Sequence, residues 1–343
     1  MLPTASIGSG FDTLRVMAAD GNIALGIDGP VPAVHTPMDA VGDLRLEVVP
    51  GQAAHLRATG ARAVYVGGST GESLSLSVDE RRRLLEAWMA VADDDLLVIA
   101  HVGANSLSDA VALAEHADAV GAPVVSAMNP TFGRARTVGD LVAWHAGLAD
   151  AAGGRPYLIY EIPALGGAAF PASEVVENAI GRVPGFAGLK FTSGDLMQLQ
   201  LAVEMGESAG LSMFFGSDEH LLAGLALGCR AAIGSTYGYA SSPARAVFDA
   251  FERGDLDEAR RAQRTIVRLV RPLSAPAHLH RVRPRDRPRP APRPGPGVAL
   301  VRRGRPDALG TASPDARHDG PPGGSLLALA DVVHRGPASV RST

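Results

Sequence analysis

The sequence predicts an α/β fold: a (β/α)8 TIM barrel with an additional C-terminal helix and an irregular tail. Three observations point there. Short β-branched or apolar runs alternate with longer segments of helical period, and this happens eight times in succession. The short runs are continuously apolar, as expected of parallel strands covered on both faces. The first run ends in His35-Thr36-Pro37. It therefore lacks the Gly-rich turn that opens a doubly wound, nucleotide-binding sheet.

Residues 1–29 have mixed polarity, several glycines and no sustained period. They are expected to form a poorly ordered extension. The barrel is expected over residues 30–271, with its first strand at 31–35 and a helix at 44–58. A strand at 63–66 is closed by Gly67-Gly68-Ser69-Thr70-Gly71. Ser77, with Glu80 three residues on, makes a capping box before a helix at 81–91. The next strand is 96–101, and Ser106 or Ser108 starts a helix that runs to 119. Asn129-Pro130 ends a strand at 123–128, and Pro163 ends one at 157–162. Helices at 138–149 and 173–180 flank the second of these. A strand at 186–191 leads into a helix at 195–205, and a strand at 211–215 into a helix from Asp218 that ends by Gly228. The last strand, 230–233, stops at Gly234-Ser235-Thr236 and precedes helices at 243–253 and 256–270. Residues 272–343 hold more than half of the 25 prolines and, over 281–294, nearly alternate arginine with proline. This segment reads as a disordered or frameshifted tail, too poor in apolar pattern to bury much surface.

The bulk properties narrow the partners. A net charge of -4 over 343 residues argues against nucleic acid as the main partner. Cys229 is the only cysteine, which excludes a disulfide framework and makes a cytoplasmic location the default expectation. No apolar run is long enough to span a membrane. His35 and His101 fall at strand ends, but neither has a second histidine or carboxylate at ligand spacing. They read as rim or core residues; no metal and no organic cofactor is expected.

One residue stands apart. Lys190 is the only lysine in the chain; every other basic position is arginine. Arginine can replace lysine at most solvated or ion-paired sites, but not where an amine must lose its proton and attack a carbonyl. Lys190 lies at the end of the run 186–191, on the rim where barrels of this kind place their chemistry. The same rim receives Ser69 and Thr70, whose turn can cradle a carboxylate, and Tyr160, whose phenol can move a proton. Each has an ordinary structural reading, as a local turn or a packed core residue. Gly216-Ser217-Asp218-Glu219 and Ser235-Thr236-Tyr237 suit polyol hydroxyls, and equally suit helix caps. Together, a lone amine, an anion cradle and a phenol suit Schiff-base chemistry on an α-keto acid. The amine must be neutral to attack, so its pKa must be lowered by desolvation.

These motifs resemble the pyruvate-dependent class I aldolases of the dihydrodipicolinate synthase and N-acetylneuraminate lyase family. The resemblance rests on Gly68-Ser69-Thr70-Gly71-Glu72, on Tyr160-x-Ile162-Pro163 and on Gly188-Leu189-Lys190, and it covers about residues 31–270. The segments Ile99-Ala100-His101-Val102-Gly103, Lys190-x-Thr192-Ser193-Gly194-Asp195 and Ile233-Gly234-Ser235-Thr236-Tyr237 look most like the N-acetylneuraminate lyase branch. The resemblance implies that Lys190 forms the Schiff base, Ser69 and Thr70 hold the carboxylate, and Tyr160 shuttles the proton. It implies that Thr192, Gly216, Asp218, Glu219 and Ser235 contact sugar-derived hydroxyls. It also implies a homotetramer and cleavage of N-acetylneuraminate to pyruvate and N-acetylmannosamine. A 4-hydroxy-tetrahydrodipicolinate synthase, an aldolase or dehydratase for 2-keto-3-deoxy sugar acids, and a catalytically inactive binding barrel stay open beside it. Two departures matter. Glu161 stands where the family has Asn and is expected to add a charge near the site. Thr131-Phe132-Gly133 replaces the aromatic hydroxyl that often follows the strand-four proline.

Overall fold

The computed structural model describes residues 15–17, 23–166 and 170–273. Of the tail expected at 272–343, Pro272 and Leu273 belong to the last helix and the rest lies outside the described residues. Two short strands, β1 (Arg15–Met17) and β2 (Ile23–Leu25), pair antiparallel ahead of the barrel. The barrel strands are β3 (Gly29–Pro32), β4 (Ala63–Val66), β5 (Leu97–His101), β6 (Val124–Met128), β7 (Tyr157–Glu161), β8 (Phe186–Phe191), β9 (Ser212–Phe215) and β10 (Ala231–Gly234). The helices are α1 (Val49–Ala58), α2 (Val78–Met89), α3 (Leu107–Ala119), α4 (Val138–Ala151), α5 (Ala172–Ala179), α6 (Leu196–Ala209), α7 (Leu221–Ala226), α8 (Ser241–Glu252) and α9 (Leu256–Leu273). The eight strands run parallel in the order β3-β10-β9-β8-β7-β6-β5-β4. A parallel bridge between Ala33 and Tyr65 joins the two ends of that order and makes the (β/α)8 barrel. Ser77 and Glu80 form the expected capping box of α2, and Ser106 caps α3.

Both faces of each strand are buried, which is why the strands read as unbroken apolar runs. Val64, Val66, Val98 and Ala100 pack outward against the helices. Ala63, Tyr65, Leu97, Ile99, Val124, Leu158, Ala231 and Ile233 fill the lumen. The floor is closed by residues that the sequence placed in a poorly ordered extension. Ile23, Leu25 and Ile27 are buried within the lumen cluster. Ser212 at the start of β9 clamps this segment: its Oγ accepts from the Leu25 N–H at 2.9 Å and donates to the Leu25 carbonyl at 3.1 Å. Three alternating apolar residues are too short a pattern to announce a strand.

β8 carries the one irregularity that matters most. Tyr157 pairs with Phe186 but Leu158 pairs with Gly188, so Ala187 is an extra residue, a β-bulge. Ala187 faces the lumen while Leu189 and Phe191 face the helices. In a regular strand Lys190, three residues after Ala187, would also face the helices. The bulge returns it to the lumen. Gly188 makes this possible with φ +136°, and a Cβ there would sit 1.8 Å from the Ser212 carbonyl oxygen.

The outer face at the end of β7 holds a buried polar chain. Asn129 Nδ2 donates to Glu161 Oε1 at 2.6 Å, Asn129 Oδ1 lies 2.8 Å from His145 Nε2, and His145 Nδ1 lies 2.9 Å from the Tyr157 hydroxyl. Glu161 therefore points away from the lumen, opposite to Tyr160. The charge expected near the site is tucked between the strands and α4, because residue 161 alternates with 160. Burial raises the Glu161 pKa to about 7, against a partial opposing effect of Asn129.

Two outcomes follow from these features. Gly188→Ala should destabilise the fold by at least about 3 kcal/mol in urea titrations, through backbone strain and overlap with Ser212. The folded Glu161 carboxyl keeps a proton that the unfolded chain releases above about pH 4.5. Its contribution is thus fully present below that value and is lost as pH rises through about 7. Glu161→Gln, followed by thermal unfolding from pH 5 to 8, should remove this loss, which is on the order of 3 kcal/mol.

Candidate active site

The C-terminal ends of the strands bring the predicted residues to one mouth. Lys190 is buried at 4% exposure. Its Nζ lies 3.8 Å from the centroid of the Tyr160 ring and 4.1 Å from that of Tyr65. Burial lowers its pKa from the ordinary lysine value, while Tyr160 and Asp218 pull the other way. Desolvation thus prevails over two groups that favour the ammonium, which is the condition an attacking amine requires.

On one side of the amine is the turn after β4. Gly67 sits at φ +71° and Glu72 at φ 54°, so the chain reverses sharply between them. A Cβ at Gly68 would stand 2.5 Å from the Tyr65 ring, so only glycine fits there. The Thr36 hydroxyl donates to the Gly71 carbonyl at 2.7 Å and holds the turn from β3. Ser69 and Thr70 are half-buried on this turn. Ser69 Oγ lies 3.5 Å from the Tyr160 hydroxyl, which joins the predicted cradle to the predicted proton carrier.

On the other side are the ends of β8, β9 and β10. The Thr192 hydroxyl is buried without a hydrogen-bond partner among the described residues. It rests where a Cβ of Gly216 would be, 1.9 Å from that position. A polar atom left so costs about 1–3 kcal/mol unless a ligand or water reaches it. Asp218 is buried; its Oδ2 accepts from the Thr236 N–H at 2.8 Å and lies 3.4 Å from Ser235 Oγ. Burial raises its pKa, and the Thr236 hydrogen bonds and the Lys190 charge oppose that rise. Gly234 leaves room for this carboxylate, since a Cβ there would sit 1.7 Å from Asp218 Oδ1. Ser235 is exposed, as is Glu219, which occupies a short 3-10 turn at Asp218–His220 and faces outward from the rim.

Sequence reasoning missed Tyr65 as a site residue. Its ring forms one wall of the amine's pocket, and its hydroxyl lies 2.9 Å from Ser126 Oγ. The signal was there: counting back by twos from the Gly67 turn places Tyr65 inward. His101 is buried as expected, and burial holds its pKa well below the ordinary imidazole range. Among the described residues, no group of three or more His, Cys, Asp or Glu is placed to hold a metal ion. Cys229 is buried, and burial pushes its thiol up to about 12, far from a reactive thiolate. No helix among the described residues is long and apolar enough to cross a membrane.

The chain is similar in sequence and fold to known proteins. Human N-acetylneuraminate lyase is 36% identical over 246 residues, covering 71% of this chain and 77% of the human protein. The Xenopus tropicalis N-acetylneuraminate lyase is 37% identical over 239 residues, or 69% of this chain and 78% of that protein. Among solved structures, Proteus mirabilis N-acetylneuraminate lyase superposes with a TM-score of 0.69 at 32% identity, covering 72% of this chain and 83% of that one. The sialic acid aldolase of Aliivibrio salmonicida gives a TM-score of 0.69 at 34% identity, with 72% and 82% covered. Residues 27–283 match the dihydrodipicolinate synthetase family, and the chain belongs to that family.

Proposed function

We propose that this protein is a class I, Schiff-base aldolase that cleaves N-acetylneuraminate to pyruvate and N-acetylmannosamine. The observation that carries the reading is the burial of the single lysine's amine between the faces of Tyr65 and Tyr160. The names of its relatives supply the substrate. Ser69, Thr70 and the backbone of their turn hold the keto acid's carboxylate, which sets the adjacent carbonyl carbon over Lys190 Nζ. The neutral amine adds to that carbon, and loss of water leaves a protonated imine. Tyr160 gives the proton that lets the oxygen leave as water. The imine then accepts the electron pair of the breaking carbon–carbon bond, while a proton leaves the substrate hydroxyl and an aldehyde departs. Protonation of the resulting enamine and addition of water release pyruvate and restore the amine. Thr192, Gly216, Asp218 and Ser235 line the side that takes the polyol, with Glu219 at its outer edge. The unpartnered Thr192 hydroxyl supports that assignment. A homo-oligomer belongs to this reading; Phe132, 83% exposed on the loop after β6, is an apolar side chain that such assembly would cover.

Borohydride added with pyruvate should trap a covalent adduct on Lys190, read by peptide mass spectrometry. Lys190→Arg should give none and should lower turnover by about 10³-fold or more. Tyr160→Phe should retain binding and lower turnover by about 10²–10⁴-fold. A folded sample with no adduct would refute the Schiff base, and release of pyruvate from 2-keto-3-deoxy sugar acids but not from N-acetylneuraminate would refute the substrate. The pH dependence has a defined sign. The protonated amine cannot attack, so the rate of adduct formation rises with pH through the Lys190 titration. Because burial lowers that pKa, the midpoint should fall below the value of about 10.4 for a solvated lysine. A midpoint at or above it would contradict a desolvated amine.

A further inference from the structure

We propose that Arg81 is a positioning residue for the carboxylate side of this site, acting through His101 on the turn that carries Ser69 and Thr70. The proposal rests on the Schiff-base reading only for what the turn binds. Arg81 lies on the outer side of the barrel in α2, buried at 6% exposure. Among the described residues it forms no ion pair. Its guanidinium instead forks across two carbonyls: Nη1 donates to Gly103 at 2.8 Å, and Nη2 donates to His101 at 2.8 Å. Both belong to the chain leaving β5. A buried cation without an ion pair is costly, and burial lowers even this guanidinium to about 10, although Tyr65 and Asp109 favour its charge. Such a group needs a reason to be there, and its hydrogen bonds supply one.

His101 passes the constraint to the turn. Its Nε2 lies 3.0 Å from the Met128 N–H and must accept from it. The hydrogen is therefore on Nδ1, which donates to the Gly67 carbonyl at 2.8 Å. Arg81 Nη2 stands 3.4 Å from that same Nδ1, so the ring faces a cation on this side and the Lys190 charge beyond. A second ring proton would add charge beside two cations and destroy the acceptor that Met128 requires. The imidazole is held neutral and in one tautomer. The bonded set thus spans the ends of β4, β5 and β6 and fixes the carbonyl of Gly67, the first residue of the cradle. A lysine in place of Arg81 could keep the charge but could not reach both carbonyls with one planar fork.

The test uses the full-length protein. In Arg81→Met, the pyruvate concentration giving half-maximal borohydride-trapped adduct should rise about tenfold or more, while the maximal trapped fraction stays unchanged. Arg81→Lys should fall between that variant and the parent, and its lysine gives a folded comparison if the apolar variant misfolds. Amide hydrogen exchange across residues 67–73 should quicken in both. In the unsubstituted protein, ¹⁵N spectra should show His101 as the neutral Nδ1–H tautomer at pH 7. A folded Arg81 variant with unchanged half-saturation, even one that melts lower, would overturn the proposal. So would an Nε2–H tautomer. If the unsubstituted protein forms no adduct, the Schiff-base reading fails, and exchange and tautomer still decide the role of Arg81 on the turn.

Discussion

The structure depends on keeping one amine dry. An ammonium is stable in water and unstable in an apolar enclosure, so burial shifts Lys190 toward the neutral form that can act as a nucleophile. Each large feature of the barrel serves this condition. The lumen below is filled with the apolar side chains of Ala187, Leu158, Ile99 and their neighbours. The rings of Tyr65 and Tyr160 wall it laterally. Those π-faces also stabilise a cation, as does the nearby Asp218, so the enclosure is balanced rather than merely apolar. A site that suppressed the ammonium entirely would give up the positive charge that an imine needs when it draws electrons.

Much of this was legible in the sequence because it follows from local chemistry. Strands 63–66 and 186–191 match β4 and β8 in full, since unbroken apolar runs between turn residues leave little freedom. The Ser77–Glu80 capping box was equally plain. Thr137 and Asp140 form a second box at α4 that the same rule would have found. What escaped were consequences of long-range geometry. Glu161 is adjacent in sequence to Tyr160, yet strand alternation sends it to the opposite face. The bulge at Ala187 depends on how β8 meets β7, and no local pattern distinguishes it from a regular strand. Without it, the argument that placed Lys190 on the rim would still have sent its side chain the wrong way.

Two buried polar groups brace the backbone around the site. The Glu161–Asn129–His145–Tyr157 chain ties the ends of β6 and β7 to α4. The Arg81–His101 pair ties the ends of β4, β5 and β6 to α2. The first lies behind the strands, whereas the His101 ring of the second packs against Tyr65 and Tyr160 at the lumen wall; both join the backbone from which site residues project. Loops bearing chemistry are the parts of a barrel most free to move. The hydrogen bonds of these two groups restrain them.

The segment clamped by Ser212 has a consequence for traffic. Ile23, Leu25 and Ile27 are buried in the lumen cluster, held by Ser212 at the start of β9, the end of the strands opposite Lys190. On the proposed Schiff-base reading, a substrate reaches Lys190 from the rim of strand ends, and the part bonded to the amine sits deepest. A fragment split from the outer end of a substrate therefore departs before the piece held at the bottom. In the reverse direction the small keto acid has to be seated first. On that reading the filled far end of the lumen, remote from the strand-end residues, sets the order of arrival and departure.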